Sequence, residues 1–376
     1  MNKKRVVFCI TLIALIFSEN IFAMGIEESH DLDKEKISNT NNYITISDSY
    51  DNTVEIEKPI NRIVVNEMGG AFAALRSLDA ENLIVAGSSY VKLNEAFFPE
   101  FKNLPIISDE SQTVNDELII KLDPDLILSK PSFATMISDV VKDEIAVVQL
   151  SFNSVEAYRK LGNILDKNDK ANEFISWIES YTDIIDQRIS TLSEEEYTDV
   201  FAYYGGEYGI TDPPPYGTFG KENSLRNDLI KRAGGRSITS ELSGDWITVD
   251  AEWIIKQNPK LILRECYVYK SNPELGYSIN DTTNAKKLLN SILNDQVAFQ
   301  NSDAVKNNNV HLIYGDLIED SWFISLIYMA KWFHPDMFAD LDPIKMHQEY
   351  LTRFQHLNYD LETQGVFSYS SNQKEI

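Results

Sequence analysis

Lys130 and Arg264 each close one of two related segments, and two such cations facing one cleft would suit an anionic ligand. The competing reading is ordinary solvated charge at strand ends. Residues 113–128 (TVNDELIIKLDPDLIL) reappear as residues 248–263 (TVDAEWIIKQNPKLIL). The copies agree at ten of sixteen positions, among them Glu117/Glu252, Ile120/Ile255 and Pro124/Pro259. Unrelated segments of ordinary composition would share about one. A single repeat at this spacing is too widely separated for a solenoid. It predicts two lobes of similar build with a ligand cleft between them.

Ligands of open parallel sheets meet the carboxyl ends of the strands. The candidate cleft residues are therefore those that follow predicted strands. In the first half these are Glu67, Met68, Gly69, Ser89, Tyr90 and Lys130. In the second half they are Tyr203, Tyr204, Arg264, Glu265, Tyr267, Tyr314 and Asp316, with Trp246 just before the second copy and Trp322 after the last strand. The aromatic residues would offer flat apolar contact to a large ligand, or serve core and hinge packing. Gly69 would let backbone approach a ligand, or form a plain strand-to-helix turn.

Two rival chemistries can be weighed on residues alone. A bare-metal site wants His and carboxylate ligands from both lobes. Of His30, His311, His334, His347 and His356, none lies in the first lobe proper, which argues against a His-based site across the cleft. Tyr203-Tyr204 offers two phenolates for ferric iron, although consecutive strand residues point to opposite faces. An exported carboxylate-based hydrolase is the other rival. The chain lacks G-x-S-x-G, H-E-x-x-H, Walker and G-x-G-x-x-G motifs, which weighs against an enzyme.

The start of the chain reads as a secretory signal over residues 1–23, with a basic start at Lys3-Lys4-Arg5 and an apolar run over residues 6–17. Residues 24–42 read as a flexible leader. The expected location is exported: periplasmic, cell-surface or extracellular. After removal of residues 1–23 one cysteine remains, Cys266, so no internal disulfide is expected and the thiol reads as a small buried apolar group. The formal charge of −24 argues against nucleic acid or anionic membrane as a partner.

The elements that must position these residues alternate strand and helix, which predicts an α/β fold with mostly parallel sheet. A hairpin is expected over residues 43–56, and buried strands over residues 62–65, 83–86, 126–128, 147–150, 200–203 and 310–314. The predicted lobes are residues 43–153 and 196–335. Between them residues 154–195 hold a short helix, with Ser154 as its N-cap, and a long one over residues 169–192. Its apolar positions follow helical spacing, so it would act as a stiff strut. Asp212-Pro213-Pro214-Pro215 reads as a loop, and residues 336–376 as an extension with a helix near residues 343–354.

Together these pieces resemble the substrate-binding proteins of ABC importers for ferric siderophores, haem and vitamin B12. The resemblance rests on Pro59-Ile60-Asn61-Arg62-Ile63-Val64, Ala86-Gly87-Ser88-Ser89-Tyr90, both repeat copies, Gly220-Lys221-Glu222-Asn223-Ser224 and Ala233-Gly234-Gly235, in order. It implies two Rossmann-like lobes bridged by one long rigid helix, with the ligand in the cleft between them. It implies capture of an iron–siderophore complex, with a corrinoid or haem as alternative, and no catalysis or resident cofactor. It further implies a monomer that delivers its ligand to a membrane permease. Glu117 and Glu252 fall where that family places one docking glutamate per lobe; read by themselves, both are first-turn glutamates favoured by the helix dipole.

Overall fold

The runs richest in branched apolar residues become the central, fully buried strands of two sheets. In the computed structural model, which describes residues 42–108, 113–205, 216–267 and 273–372, the chain opens with an antiparallel hairpin of β1 (Tyr43–Ser47) and β2 (Thr53–Glu57). The expected signal and leader fall outside the described residues, save for position 42, as does the Asp212–Pro215 loop.

The first sheet contains β3 (Ile63–Asn66), β4 (Ile84–Ser88), β5 (Ile106–Ser108), β6 (Leu126–Ser129) and β7 (Ala146–Gln149), in the order β5-β4-β3-β6-β7. All its pairings are parallel. The chain builds outward from β3 to β5, then returns to the other side of β3 for β6 and β7. That reversal makes the carboxyl ends of β3 and β6 a topological switch point, where a crevice opens. Glu67 follows β3 and Lys130 follows β6.

The second sheet contains β8 (Thr198–Tyr203), β9 (Tyr216–Phe219), β10 (Gly235–Ser237), β11 (Trp246–Val249), β12 (Leu261–Cys266), β13 (Val310–Tyr314) and β14 (Ser368–Ser370). Its order is β11-β9-β8-β12-β13-β14, with β10 beside the first half of β8. The β10-β8-β12-β13 core is parallel, and β9, β11 and β14 add antiparallel pairings at the edges. β12 and β13 are buried along their whole length, as strands covered on both faces must be. Cys266 is a buried thiol within that core.

The long helix runs Asn168–Ile189, about 33 Å at 1.5 Å per residue. Phe174, Ile175, Trp177, Ile178, Ile185 and Ile189 form its buried stripe. It stops short of residue 192 because Ser193 and Glu196 form a capping box for the next turn. The preceding helix, Val155–Ile164, starts after Ser154 as expected, but Ser154 makes no side-chain cap bond. A Cβ on Gly162 would stand 2.5 Å from the Ala171 Cβ, so this glycine sets the close approach of the two helices.

The C-terminal extension is a strap across the molecule. Helix Pro343–Glu349, capped by Asp342, runs into a wider turn at Tyr350–Phe354. Phe354 packs 4.8 Å from both Phe174 and Trp177 of the long helix. Gln355 then bonds to the first-lobe helix Gly70–Ser77, accepting from Arg76 Nε at 2.8 Å and donating to Ala73 O and Ser77 Oγ. The chain returns to the second sheet as β14.

Candidate functional site

The turn after β3 is held by hydroxyls from its neighbours. Ser88 Oγ donates to the Glu67 carbonyl at 2.5 Å, and Ser129 Oγ to the Asn66 carbonyl at 3.0 Å. Helix Gly70–Ser77 begins with Gly69 at its N-cap, which has no side chain to offer. The Glu67 carboxylate takes that role by accepting from the Ala71 N–H, and it also meets the helix dipole favourably. Its second oxygen is buried with no hydrogen-bond partner. Burial raises the Glu67 pKa, and Lys130 opposes the rise.

Lys130 sits just before a one-turn helix at Pro131–Ala134, with its side chain 20% exposed. Its Nζ reaches across to the second lobe and lies 3.9 Å from Glu319 Oε2. Burial disfavours the ammonium, but Glu67, Glu319 and Asp320 outweigh that and raise its pKa. Lys130 therefore stays charged at any physiological pH.

The second-lobe wall is built around Arg226, on helix Ser224–Arg232. Its Nη2 lies 2.5 Å from Glu319 Oε1, 3.2 Å from Glu265 Oε2 and 2.9 Å from the Tyr267 hydroxyl, which itself donates to Glu265. The guanidinium stacks over Phe219 at 4.6 Å and Trp246 at 5.1 Å. Burial opposes the charge on Arg226, but Glu265 and Glu319 raise its pKa. Burial likewise opposes the charge on Glu319, yet Arg226 and Lys130 hold its pKa down.

A second set of contacts joins the lobes. Asp316 accepts from the Tyr90 hydroxyl, from Asn94 Nδ2 at 3.0 Å and from the Tyr314 hydroxyl, whose oxygen also lies 3.0 Å from Asn94 Oδ1. Tyr90, Asn94, Tyr314 and Asp316 line a cavity of about 10 Å³, room for about one water. Burial raises the pKa of Asp316 and, further, of Asp320. Asp320 Oδ1 has no hydrogen-bond partner, and its other oxygen would lie 2.3 Å from a Cβ on Gly69. Gly69 thus sits where the lobes approach closely, and a Cβ there would have to displace the Asp320 carboxylate.

The remaining candidates fall in several places. Met68 and Ser89 are half-buried beside Glu67 and Tyr90. Arg264 is buried over the Tyr203 ring at 5.2 Å and against Gly205, where a Cβ would stand 2.6 Å from its Nη2. Tyr204 packs 4.9 Å from Trp246, which is 44% exposed. Trp322 is enclosed by the core, 5.8 Å from Phe323. Burial raises the pKa values of Tyr203 and Tyr204, which disfavours phenolate at either position. Among the described residues no cluster of His, Cys, Asp and Glu is placed to hold a metal ion. Glu117 and Glu252 are exposed, in the first turns of helices Asp116–Leu122 and Ala251–Gln257.

Four participants escaped the sequence reading: Asn94, Arg226, Glu319 and Asp320. The available signal was context. Glu319-Asp320 interrupts an apolar stretch from Leu317 to Phe323, and charges inside apolar runs are buried for a reason.

Comparison with known proteins agrees with this architecture. The model of the family described as "Periplasmic binding protein" matches residues 75–317. The molybdate-binding protein MolA of Haemophilus influenzae is 25% identical over 354 residues, covering 84% of this chain and 91% of that protein. An uncharacterized ABC transporter substrate-binding lipoprotein, YvrC of Bacillus subtilis, is 23% identical over 229 residues, covering 58% of this chain and 68% of its own length. The crystal structure of the TroA-like periplasmic binding protein FepB from Veillonella parvula superposes with a TM-score of 0.71 at 21% identity, covering 87% of this chain and 99% of that one. The family match spans well over half the chain and the two-lobe fold is shared, so the chain belongs to the periplasmic binding protein family, the extracytoplasmic solute-binding proteins of ABC transporters.

Proposed function

We propose that this protein captures an anionic, oxygen-rich iron chelate of the ferric-siderophore type and delivers it to an ABC permease, with no bond chemistry of its own. One observation carries the reading. Lys130 of the first lobe and Arg226 of the second converge on a single carboxylate, Glu319. An anion-sized position between two cations from opposite lobes is what an anionic ligand needs. Ligand oxygens would replace Glu319 there, and the exposed face of Trp246 would carry the chelate's apolar skeleton. The buried free oxygens of Glu67, Glu265 and Asp320 would accept from N–H or O–H groups of the ligand. Haem or a corrinoid would use the same cations through its carboxylates. Glu117 and Glu252, one exposed on each lobe, would meet the permease.

A second reading has its own support. The 25% identity to a molybdate-binding protein over 84% of the chain favours a tetrahedral oxyanion at the same cation pair. Calorimetry of the mature protein with ferric hydroxamates, ferric citrate, haem, cobalamin and molybdate separates the two. Saturable one-to-one binding of a ferric chelate supports the first reading. Binding of molybdate alone replaces it with the second, and binding of none removes both.

A further inference from the structure

The two repeat copies fold alike around helices Asp116–Leu122 and Ala251–Gln257. Asn115 and Asp250 cap them, accepting from the Leu118 N–H at 3.0 Å and the Trp253 N–H at 2.7 Å. Both helices end at a left-handed residue, Asp123 with φ 46° and Asn258 with φ 48°. Three helix positions are exposed in both copies, and all three keep their residue: Glu117/Glu252, Ile120/Ile255 and Lys121/Lys256. The positions partly covered in both copies differ, Asp116/Ala251 and Leu118/Trp253, as does Leu122/Gln257, which is partly covered in one copy and exposed in the other.

Packing predicts the opposite pattern, in which covered positions are kept and outward ones drift. Retention of the fully buried pair Ile119/Ile254 follows that rule; retention of the outward trio does not. Ile120 and Ile255 are 43% and 50% exposed, and each is a β-branched residue in a helix, where propensity gives no reason to keep it. Spacing of three and four residues places Glu, Ile and Lys on one face of each helix.

We infer that Ile120 and Ile255 are the apolar anchors of a two-point docking surface for the membrane permease, each seated beside its glutamate. The inference rests on the reading of Glu117 and Glu252 as permease-docking residues. The same Glu-Ile-Lys face on both lobes fits a partner that presents one socket twice, as a two-fold symmetric membrane dimer does. Each socket would pair a basic group with the glutamate and enclose the isoleucine, while the lysine stays at the wet rim.

The test titrates the mature protein onto its ABC permease held in lipid nanodiscs, at two salt concentrations. Ile120→Ser and Ile255→Ser should each weaken binding roughly tenfold, and the double variant roughly a hundredfold. Their salt dependence should match wild type, and their melting temperatures should stay within about 2 °C of it. Val140→Ser and Val297→Ser, exposed apolar positions elsewhere, should bind as wild type. The inference is overturned if the isoleucine double variant binds as wild type while Glu117→Gln/Glu252→Gln loses binding; glutamate docking then survives alone. It is also overturned if the valine controls weaken binding equally. If the glutamate double variant also binds undiminished, the docking reading falls together with the inference.

Discussion

The Lys130 ammonium of the first lobe and the Glu319 carboxylate of the second lie 3.9 Å apart, and that carboxylate also lies 2.5 Å from Arg226. Glu319 therefore sits as an internal anion between two cations whose own burial is costly. A carboxylate so placed competes with any anionic ligand for Lys130 and Arg226, and at the same time keeps both cations satisfied when no ligand is bound.

Lys130→Met removes one cation and keeps the length of the side chain. If the proposed function holds, affinity for the ferric chelate should fall at least tenfold in calorimetry. The melting temperature should move by only a few degrees, because the site holds more carboxylates than cations. An unchanged dissociation constant would place the ligand elsewhere.

Glu319→Gln should act in the opposite direction on binding. It removes the competing charge while keeping a hydrogen-bonding side chain of the same size, so affinity for an anionic ligand should rise several-fold. Stability in urea should drop by about 1–3 kcal/mol, since Arg226 keeps only Glu265 as a charged partner. Weaker binding would show that Glu319 contacts the ligand directly.

Gln355→Ala breaks the strap at its contact with the first lobe. Three hydrogen bonds go, to Arg76, Ala73 and Ser77, and the buried Arg76 Nε loses its acceptor. A loss of about 3 kcal/mol is expected from the urea midpoint. A change below about 0.5 kcal/mol would mean that the strap is held by its other contacts, the aromatic packing on the long helix and the Arg353–Glu173 and His356–Asp79 pairs.

His347 gives a pH signature. It is buried with Nε2 3.0 Å from the Tyr277 hydroxyl, and burial lowers its pKa to about 3. The unfolded chain binds its proton near pH 6.5 and the folded chain does not, so stability falls as pH drops from about 6.5 towards 3. The buried carboxyls Glu67, Glu265, Asp316 and Asp320, with raised pKa values, push the other way. The histidine contribution is therefore read as the difference between wild type and His347→Gln. That difference should shrink by about 1.4 kcal/mol per pH unit over pH 6 to 4. A constant difference would refute the assignment.

Lobe motion should be small. The long helix and the strap both connect the lobes, so rocking rather than wide hinge closure is expected. Small-angle scattering should show a radius of gyration that changes by less than about 1 Å on saturation with ligand. A compaction of several ångströms would contradict this.

Local pattern was enough to find the elements that make the lobes. β3, β6, β12 and the helix Asn168–Ile189 announce themselves through runs of Ile, Val and Leu or through a helical stripe, and both repeat helices through their sequence identity. Strands such as β5, β10 and β14 carry three residues each, and β14 is Ser-Tyr-Ser; only a partner from far along the chain makes them strands. The site divides in the same way. Glu67, Lys130 and Tyr267 were legible because they follow strands, and strand ends define the crevice of such sheets. Arg226 and Glu319 lie on helices outside both repeat copies, and their meeting with Lys130 exists only once the two lobes face each other. Sequence by itself determined which segments could be buried and where strands end, since both depend on neighbouring residues. Tertiary structure alone decided which buried charges neutralise one another, because that depends on distances between groups the chain separates by many residues.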